Sequence, residues 1–164
     1  MVYLGLGSNV GDRLDFLRKS VAELRELGEI TQFSSVYETL PWGKEDQASF
    51  LNACIQMNTE LEPNKLLYEV KQIEDKLGRI EREHWGPREI DIDILFYDDL
   101  RYLSQRLTIP HPLLHERAFV LVPMAEIAPN FVHPALNLTI AELNNQVVTD
   151  NVVRLETISL DSSQ

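Results

Sequence analysis

Ile90-Asp91-Ile92-Asp93-Ile94-Leu95-Phe96 is the stretch that most restricts how this chain can fold. Ile90, Ile92, Ile94 and Phe96 alternate with other residues, so the segment reads as a strand with one apolar face. Strand side chains repeat every second residue, which sets Asp91 and Asp93 on the opposite face, roughly 7 Å apart. Aspartate is disfavoured in strands, and two like charges on one face raise each other's pKa. A solvated sheet face is one explanation; one or two divalent cations between the carboxylates is the other. Trp85-Gly86-Pro87-Arg88 places an aromatic, a turn and a guanidinium just before them. Cation, carboxylate pair and stacking surface in so short a span point to a metal–phosphate site.

A length of 164 residues favours one domain, and 44% hydrophobic content is enough for a core. No apolar run is long enough to span a membrane, and the start, Met1-Val2-Tyr3-Leu4, lacks the basic flank of a signal peptide. Cys54 is the single cysteine, which excludes a disulfide framework and a thiolate zinc site. It sits in an apolar stretch and reads as a core thiol; a cytoplasmic location fits. The net charge of −11 argues against binding nucleic acid through a broad basic surface. An anionic small molecule stays open, because Arg79, Arg82, Arg88, Arg106 and Arg117 cluster in one part of the chain.

The spacing predicts a strand at 2–7 and a helix near 12–27 with Leu17, Val21 and Leu24 on one face. Strands near 30–38 and 49–60 follow, then a helix at 63–77 opened by Pro63 and closed by Gly78. The Asp strand spans 90–97, with a short partner strand near 100–103 and a helix near 117–127 stopped by Pro129. This β-α-β-β-α-β order resembles a ferredoxin-like α+β core with an antiparallel sheet and a C-terminal extension. Residues 1–149 read as one domain and 150–164 as a surface tail. Gly5-Leu6-Gly7-Ser8-Asn9-Val10-Gly11 is one residue too long for the usual dinucleotide fingerprint. It reads as a structural turn leading to Asp12 as helix N-cap.

Gly7-Ser8-Asn9, Phe50-Leu51-Asn52, Arg88 with Asp91 and Asp93, and Pro110-His111-Pro112 through Phe119 occur together in a revealing order and spacing. The chain resembles the 6-hydroxymethyl-7,8-dihydropterin pyrophosphokinase family of folate biosynthesis over about residues 1–145. The resemblance implies transfer of pyrophosphate from ATP to the pterin hydroxymethyl group, with release of AMP. It implies two Mg²⁺ ions held by Asp91 and Asp93, with Arg79, Arg88 and His111 on the triphosphate. Arg82 and Glu81 compete for a further phosphate position, since the loop is one residue shorter than in a relative.

By the same resemblance Phe50 and Phe119 sandwich the pterin, Asn52 reads its edge, and Thr39, Leu40 and Trp42 supply backbone hydrogen bonds. Trp85 is expected to close over the bound ring. Lys71, Glu74, Arg106 and Thr108 occupy ATP-contacting positions, with Arg117 a further candidate. Lys71 stands where the family usually has glutamine, and its i,i+3 spacing from Glu74 equally suits a surface pair. His133 reads as structural. The expected partners are small molecules, ATP and a reduced pterin, with no nucleic acid or membrane, acting on a monomer. A two-metal phosphohydrolase would also use the carboxylate pair but would need more Asp, Glu or His ligands. A non-catalytic ferredoxin-like binding module would show no magnesium-dependent nucleotide binding.

Overall fold

Strand alternation and helical periodicity resolve into β1 (Val2–Ser8), α1 (Arg13–Leu24), β2 (Glu29–Phe33), β3 (Val36–Thr39), β4 (Phe50–Asn58), α2 (Pro63–Lys76) and β5 (Asp91–Tyr97). A hairpin of β6 (Tyr102–Leu103) and β7 (Thr108–Ile109) follows, then α3 (Ala118–Ile127), α4 (Ile140–Asn144) and β8 (Val152–Leu155). The computed structural model describes residues 1–40, 48–80 and 87–161. The sheet runs β5-β1-β4-β3-β8, with β2 also on β4, and every pair is antiparallel. Strand order and helix placement are those of the expected ferredoxin-like α+β fold.

Alternation along the central strands gives the sheet two different faces. Leu4, Leu6, Ala53, Ile55, Met57, Ile92 and Ile94 meet Leu17, Val21 and Leu24 of α1 and Leu66, Val70 and Ile73 of α2. On the other face, Tyr3, Cys54, Leu95 and Phe96 pack with Val120, Leu121 and Met124 of α3 and Ile140 and Leu143 of α4. Asp12 caps α1 by accepting from the Asp15 N–H at 3.1 Å. Gly78, at φ 93°, ends α2.

Five expectations change. Phe96 does not share a face with Ile92 and Ile94: Leu4 lies opposite Ile94 but Tyr3 opposite Phe96, so Leu95 is an inserted bulge residue. The bulge turns both Leu95 and Phe96 toward α3. The single strand at 30–38 is two strands, because Ser34 breaks the ladder: its Oγ accepts the Cys54 N–H at 2.8 Å and donates to the Ser35 carbonyl at 2.7 Å. Strand 102–103 pairs with β7 rather than with the Asp strand. The turn read into residues 5–11 starts only after β1: Gly5 and Gly7 keep to the expected strand, paired with β4 and β5, and the turn glycine is Gly11 at φ 69°. The segment after residue 149 is no surface tail, since β8 pairs with β3 and Leu160 is 1% exposed.

Candidate active site

Glycines in β1 create the cavity. Gly5 lies between Cys54 and Asp93, and Gly7 between Asn52 and Asp91. A Cβ on Gly7 would come 3.0 Å from Asn52 Nδ2 and 3.6 Å from Phe50 Cδ1; one on Gly5 would touch Leu95 at 3.5 Å. With no side chains there, the α3-side face of the sheet is hollow. The resulting cavity of about 460 Å³ is lined by Thr39, Leu40, Phe50, Asn52, Asp91, Asp93 and Phe119, among others. That size suits a small heterocycle. Phe50 and Phe119 supply aromatic surface, and Thr39 Oγ1 donates to Asn52 Oδ1 at 2.6 Å. That bond fixes the amide, leaving its NH₂ end as the donor a ligand would meet.

Asp91 and Asp93 enter this cavity from the edge strand, as the alternation requires. Desolvation first, and then the neighbouring Asp91 charge, push Asp93 up to about 7, while Lys71 and Arg117 oppose the rise. A carboxylate held that far from its ordinary range lacks a strong positive partner. Two hard oxygen donors match Mg²⁺, which binds through one or two carboxylates and keeps waters and substrate phosphates as its other ligands. Among the described residues no three His, Cys, Asp or Glu side chains gather into a full cage. The donor set therefore fits a cation that arrives with phosphate oxygens, and among the described residues no further ligands of the kind a two-metal phosphohydrolase uses join it.

Glu74 is not half of a surface pair. It is 1% exposed, and its carboxylate accepts from Lys71 Nζ at 3.0 Å, Arg79 Nη1 at 2.7 Å and the Ile92 N–H at 2.8 Å. The turn at Gly78 makes this possible, because the Arg79 N–H returns to the Glu74 carbonyl at 3.1 Å and brings the guanidinium back to its own helix. Arg79 Nη1 also lies 3.8 Å from Asp91 Oδ1. Glu74 thus orients Arg79 and satisfies an edge-strand donor, and its three donors occupy the carboxylate that was expected to contact ATP.

Sequence reasoning gave Asn9 no role, yet this buried side chain joins two loop ends. Its Oδ1 accepts the Arg88 N–H at 2.7 Å, its Nδ2 donates to the Ala48 carbonyl at 3.1 Å, and its N–H reaches the Arg88 carbonyl at 3.0 Å. The only sequence signal was its place in Gly7-Ser8-Asn9. His111 is tied to β5 by its N–H to the Leu95 carbonyl at 3.0 Å. Burial, with help from the Arg117 charge, lowers it to about 4, so it is a neutral imidazole at pH 7. Its Nδ1 accepts the Leu113 N–H at 3.3 Å, which makes Nε2 the donor.

Of the expected residues, the cavity collects Thr39, Leu40, Phe50, Asn52, Asp91, Asp93 and Phe119. Arg117 stacks its guanidinium 5.6 Å from the Phe119 ring. Thr108 and His111 line a separate groove of about 380 Å³ beside the hairpin, and Arg106 sits exposed in the hairpin turn. The Leu40 N–H, expected to serve the ligand, donates instead to the Asn151 carbonyl at 2.9 Å. His133 is structural: its Nδ1 accepts the Ala135 and Leu136 N–H groups, each at 3.1 Å. Trp42, Arg82 and Trp85 lie outside the described residues.

The family model described as 7,8-dihydro-6-hydroxymethylpterin-pyrophosphokinase matches residues 3–129. The chain is 50% identical over 133 residues to the 2-amino-4-hydroxy-6-hydroxymethyldihydropteridine pyrophosphokinase of Aquifex aeolicus, covering 81% of this chain and 83% of that one. The Bacillus subtilis protein of the same name is 46% identical over 129 residues, covering 77% of each. In fold, the chain matches a solved Plasmodium falciparum HPPK-DHPS structure with pteroate at a TM-score of 0.75 and 18% identity. That match covers 93% of this chain but only 47% of the Plasmodium chain, so this chain spans less than half its length. Cavity, carboxylate pair and sequence relatives agree: the chain belongs to the 7,8-dihydro-6-hydroxymethylpterin-pyrophosphokinase family.

Proposed function

We propose that this chain moves the β,γ-pyrophosphoryl group of ATP onto the hydroxymethyl oxygen of 6-hydroxymethyl-7,8-dihydropterin and releases AMP. As a member of its family it is a pyrophosphokinase of folate biosynthesis. The observation that carries the finer reading is a single cavity with Phe50, Asn52 and Phe119 along with Asp91 and Asp93. A slot for a flat heterocycle that also holds two carboxylates joins a pterin site to a phosphate site.

The hydroxymethyl oxygen attacks the β-phosphorus, the bond from that phosphorus to the α,β-bridging oxygen breaks, and AMP departs with the bridging oxygen. The hydroxyl proton passes to solvent. Such a reaction needs positioning and neutralised charge more than covalent help. Asp91 and Asp93 would hold two Mg²⁺ ions, whose role is to offset charge on the triphosphate oxygens. Phe50 and Phe119 stack the ring, and Asn52 donates to its edge. Arg79, already oriented by Glu74, keeps further N–H groups for phosphate, and Arg88 adds a second guanidinium. His111 contributes a neutral donor; Lys71, Arg82, Arg106, Thr108 and Arg117 serve the nucleotide. Trp42 and Trp85 belong to the pterin end of this reading. The working unit is taken as a cytoplasmic monomer acting on small molecules, with neither nucleic acid nor membrane as partner.

Incubation with ATP, magnesium and the hydroxymethyl pterin, followed by chromatography, is expected to give AMP and the pterin diphosphate in equal amounts, with none after chelation. ADP as the sole nucleotide product would overturn the pyrophosphoryl reading in favour of an ordinary kinase.

A further inference from the structure

Family membership rests on residues 3–129, yet the chain returns to the cavity beyond them. β3 ends at the cavity rim with Thr39, followed by Leu40. On its inner side β3 pairs with β4, with Thr39 opposite Phe50 and its hydroxyl on Asn52. On its outer side it pairs with β8, with Thr39 opposite Val152. Asn151 completes the join: its carbonyl accepts the Leu40 N–H at 2.9 Å, and its Nδ2 donates to the Leu40 carbonyl at 3.1 Å. Both backbone polar groups of one rim residue are therefore held by one partner residue, and that partner itself lines the cavity. The segment is anchored on both sides of Asn151. The Val152 N–H reaches the Thr149 carbonyl at 3.0 Å, and Leu160 is buried in the α1/α2 core.

We propose that the segment around β8 is a positioning part of the heterocycle end of the site, acting through Asn151 on Leu40. The inference rests on the reading of this cavity as the pterin pocket. Asn151 withdraws the Leu40 N–H from the ligand and leaves the Leu40 carbonyl one lone pair. The rim thereby presents an acceptor and no backbone donor at this residue, while Asn52 presents donors. That polarity selects a heterocycle whose edge offers N–H groups beside ring acceptors, as an aminopyrimidinone edge does. Without the Asn151 side chain the Leu40 carbonyl would lose its donor and only the backbone bond from the Leu40 N–H would remain, so this rim residue would lose one of its two fixed contacts.

Asn151→Asp and Asn151→Ala in the full chain test this. The first swaps the NH₂ donor for an oxygen facing the Leu40 carbonyl, at nearly constant shape; the second keeps only the backbone bond. Asn151→Asp is expected to raise the pterin KM and the directly titrated pterin Kd about tenfold, as loss of one hydrogen bond plus a repulsive contact would. Asn151→Ala should give a smaller rise, and the ATP KM should stay within about twofold in both, as for a site untouched by the change. Val132→Ala, at an exposed position away from this segment, should leave the pterin KM unchanged. Unchanged pterin KM and Kd in both Asn151 variants would overturn the proposal, as would an equal rise in the ATP KM. Should Asn151→Asp fail to fold, the pterin-to-ATP split in Asn151→Ala decides. Unmodified protein is assayed alongside: its failure to form AMP would remove the pterin reading itself, whereas an active parent with unaltered variants removes only the role of Asn151.

Discussion

The two faces of the sheet are built from the same three strands and do opposite work. Toward α1 and α2, β1, β4 and β5 present Leu4 and Leu6, Ile55 and Met57, Ile92 and Ile94, all nearly inaccessible to solvent. Toward α3 the intervening positions are Gly5 and Gly7, Asn52 and Cys54, Asp91 and Asp93. One face is filled by side chains and stabilises the fold through apolar burial. The other is packed by Tyr3, Phe96 and Phe131 in edge-to-face and tilted contacts, together with side chains of α3 and α4, and is hollow beside Gly5 and Gly7. A strand in this chain is thus both a core element and a wall of the site, separated by one residue. Substitutions one position apart should therefore fail in different ways.

The largest contrast lies within β5. Asp91→Ala and Asp93→Ala are each expected to cut turnover by about a thousandfold or more, since each removes a candidate metal ligand. Unfolding free energy should stay within ~1 kcal/mol, because loss of like-charge repulsion offsets the weak Asp91–Arg79 pair. Ile92→Ala, between them, should cost about 3 kcal/mol of stability by leaving a cavity in the core. At a temperature where it stays folded, its turnover should fall far less than that of either Asp variant. Urea unfolding with steady-state kinetics on the three variants measures this. A stable, active Asp93→Ala protein at saturating Mg²⁺ would end the separation of faces.

Glu74 sharpens the comparison because it belongs to both faces at once. Its buried carboxylate satisfies the Ile92 N–H and also orients Arg79 toward Asp91. Glu74→Gln replaces an acceptor with a group that must donate at one end, beside three donors. A loss of about 2–3 kcal/mol in stability is expected, together with roughly a tenfold fall in turnover from a misoriented Arg79. Loss of stability with full turnover would show that Arg79 does not depend on this contact.

The core face was legible and the site face only partly so, for physical reasons. Leu17, Val21 and Leu24, like Leu66, Val70 and Ile73, fall at helical spacing, and burial follows from periodicity alone. Asp91 and Asp93 were legible because two charges in an apolar strand break the pattern. The sequence does not mark Gly5 and Gly7 as the hollow of the site, since glycine in a strand makes sense only once its neighbours across the sheet are known. The displacement of Phe96 depends on one bulge residue, Leu95, which no alternation pattern marks. Glu74 looked exposed because its spacing from Lys71 suits a surface pair; the Ile92 N–H it serves lies 18 residues away. β8 is only four residues long with its two central residues exposed, and only its partner β3 makes it a strand.

The smallest expected effect tests whether the hollow face costs stability, as a face built for ligand should. Burial and the Asp91 charge raise Asp93 from 3.8 to about 7 in the folded protein. A raised carboxylate pKa means the folded state binds the proton more tightly than the unfolded chain. The contribution is therefore fully present below about 3.8 and is lost as pH rises through about 7. Above pH 7 the protein carries an ionised, poorly partnered Asp93, and Asp93→Asn removes that charge at nearly constant shape. Without metal, the variant should match the parent near pH 4 and become more stable by ~1–2 kcal/mol at pH 8, after allowing for solvent that reaches the carboxylate. Mg²⁺ with a non-hydrolysable ATP analogue should reverse the order at pH 8, because only the parent gains both carboxylates as ligands. Thermal unfolding of both proteins across this pH range, with and without the metal–nucleotide pair, measures the two signs independently. A flat difference with pH would place the strain elsewhere on this face, and an unreversed difference would detach Asp93 from the metal.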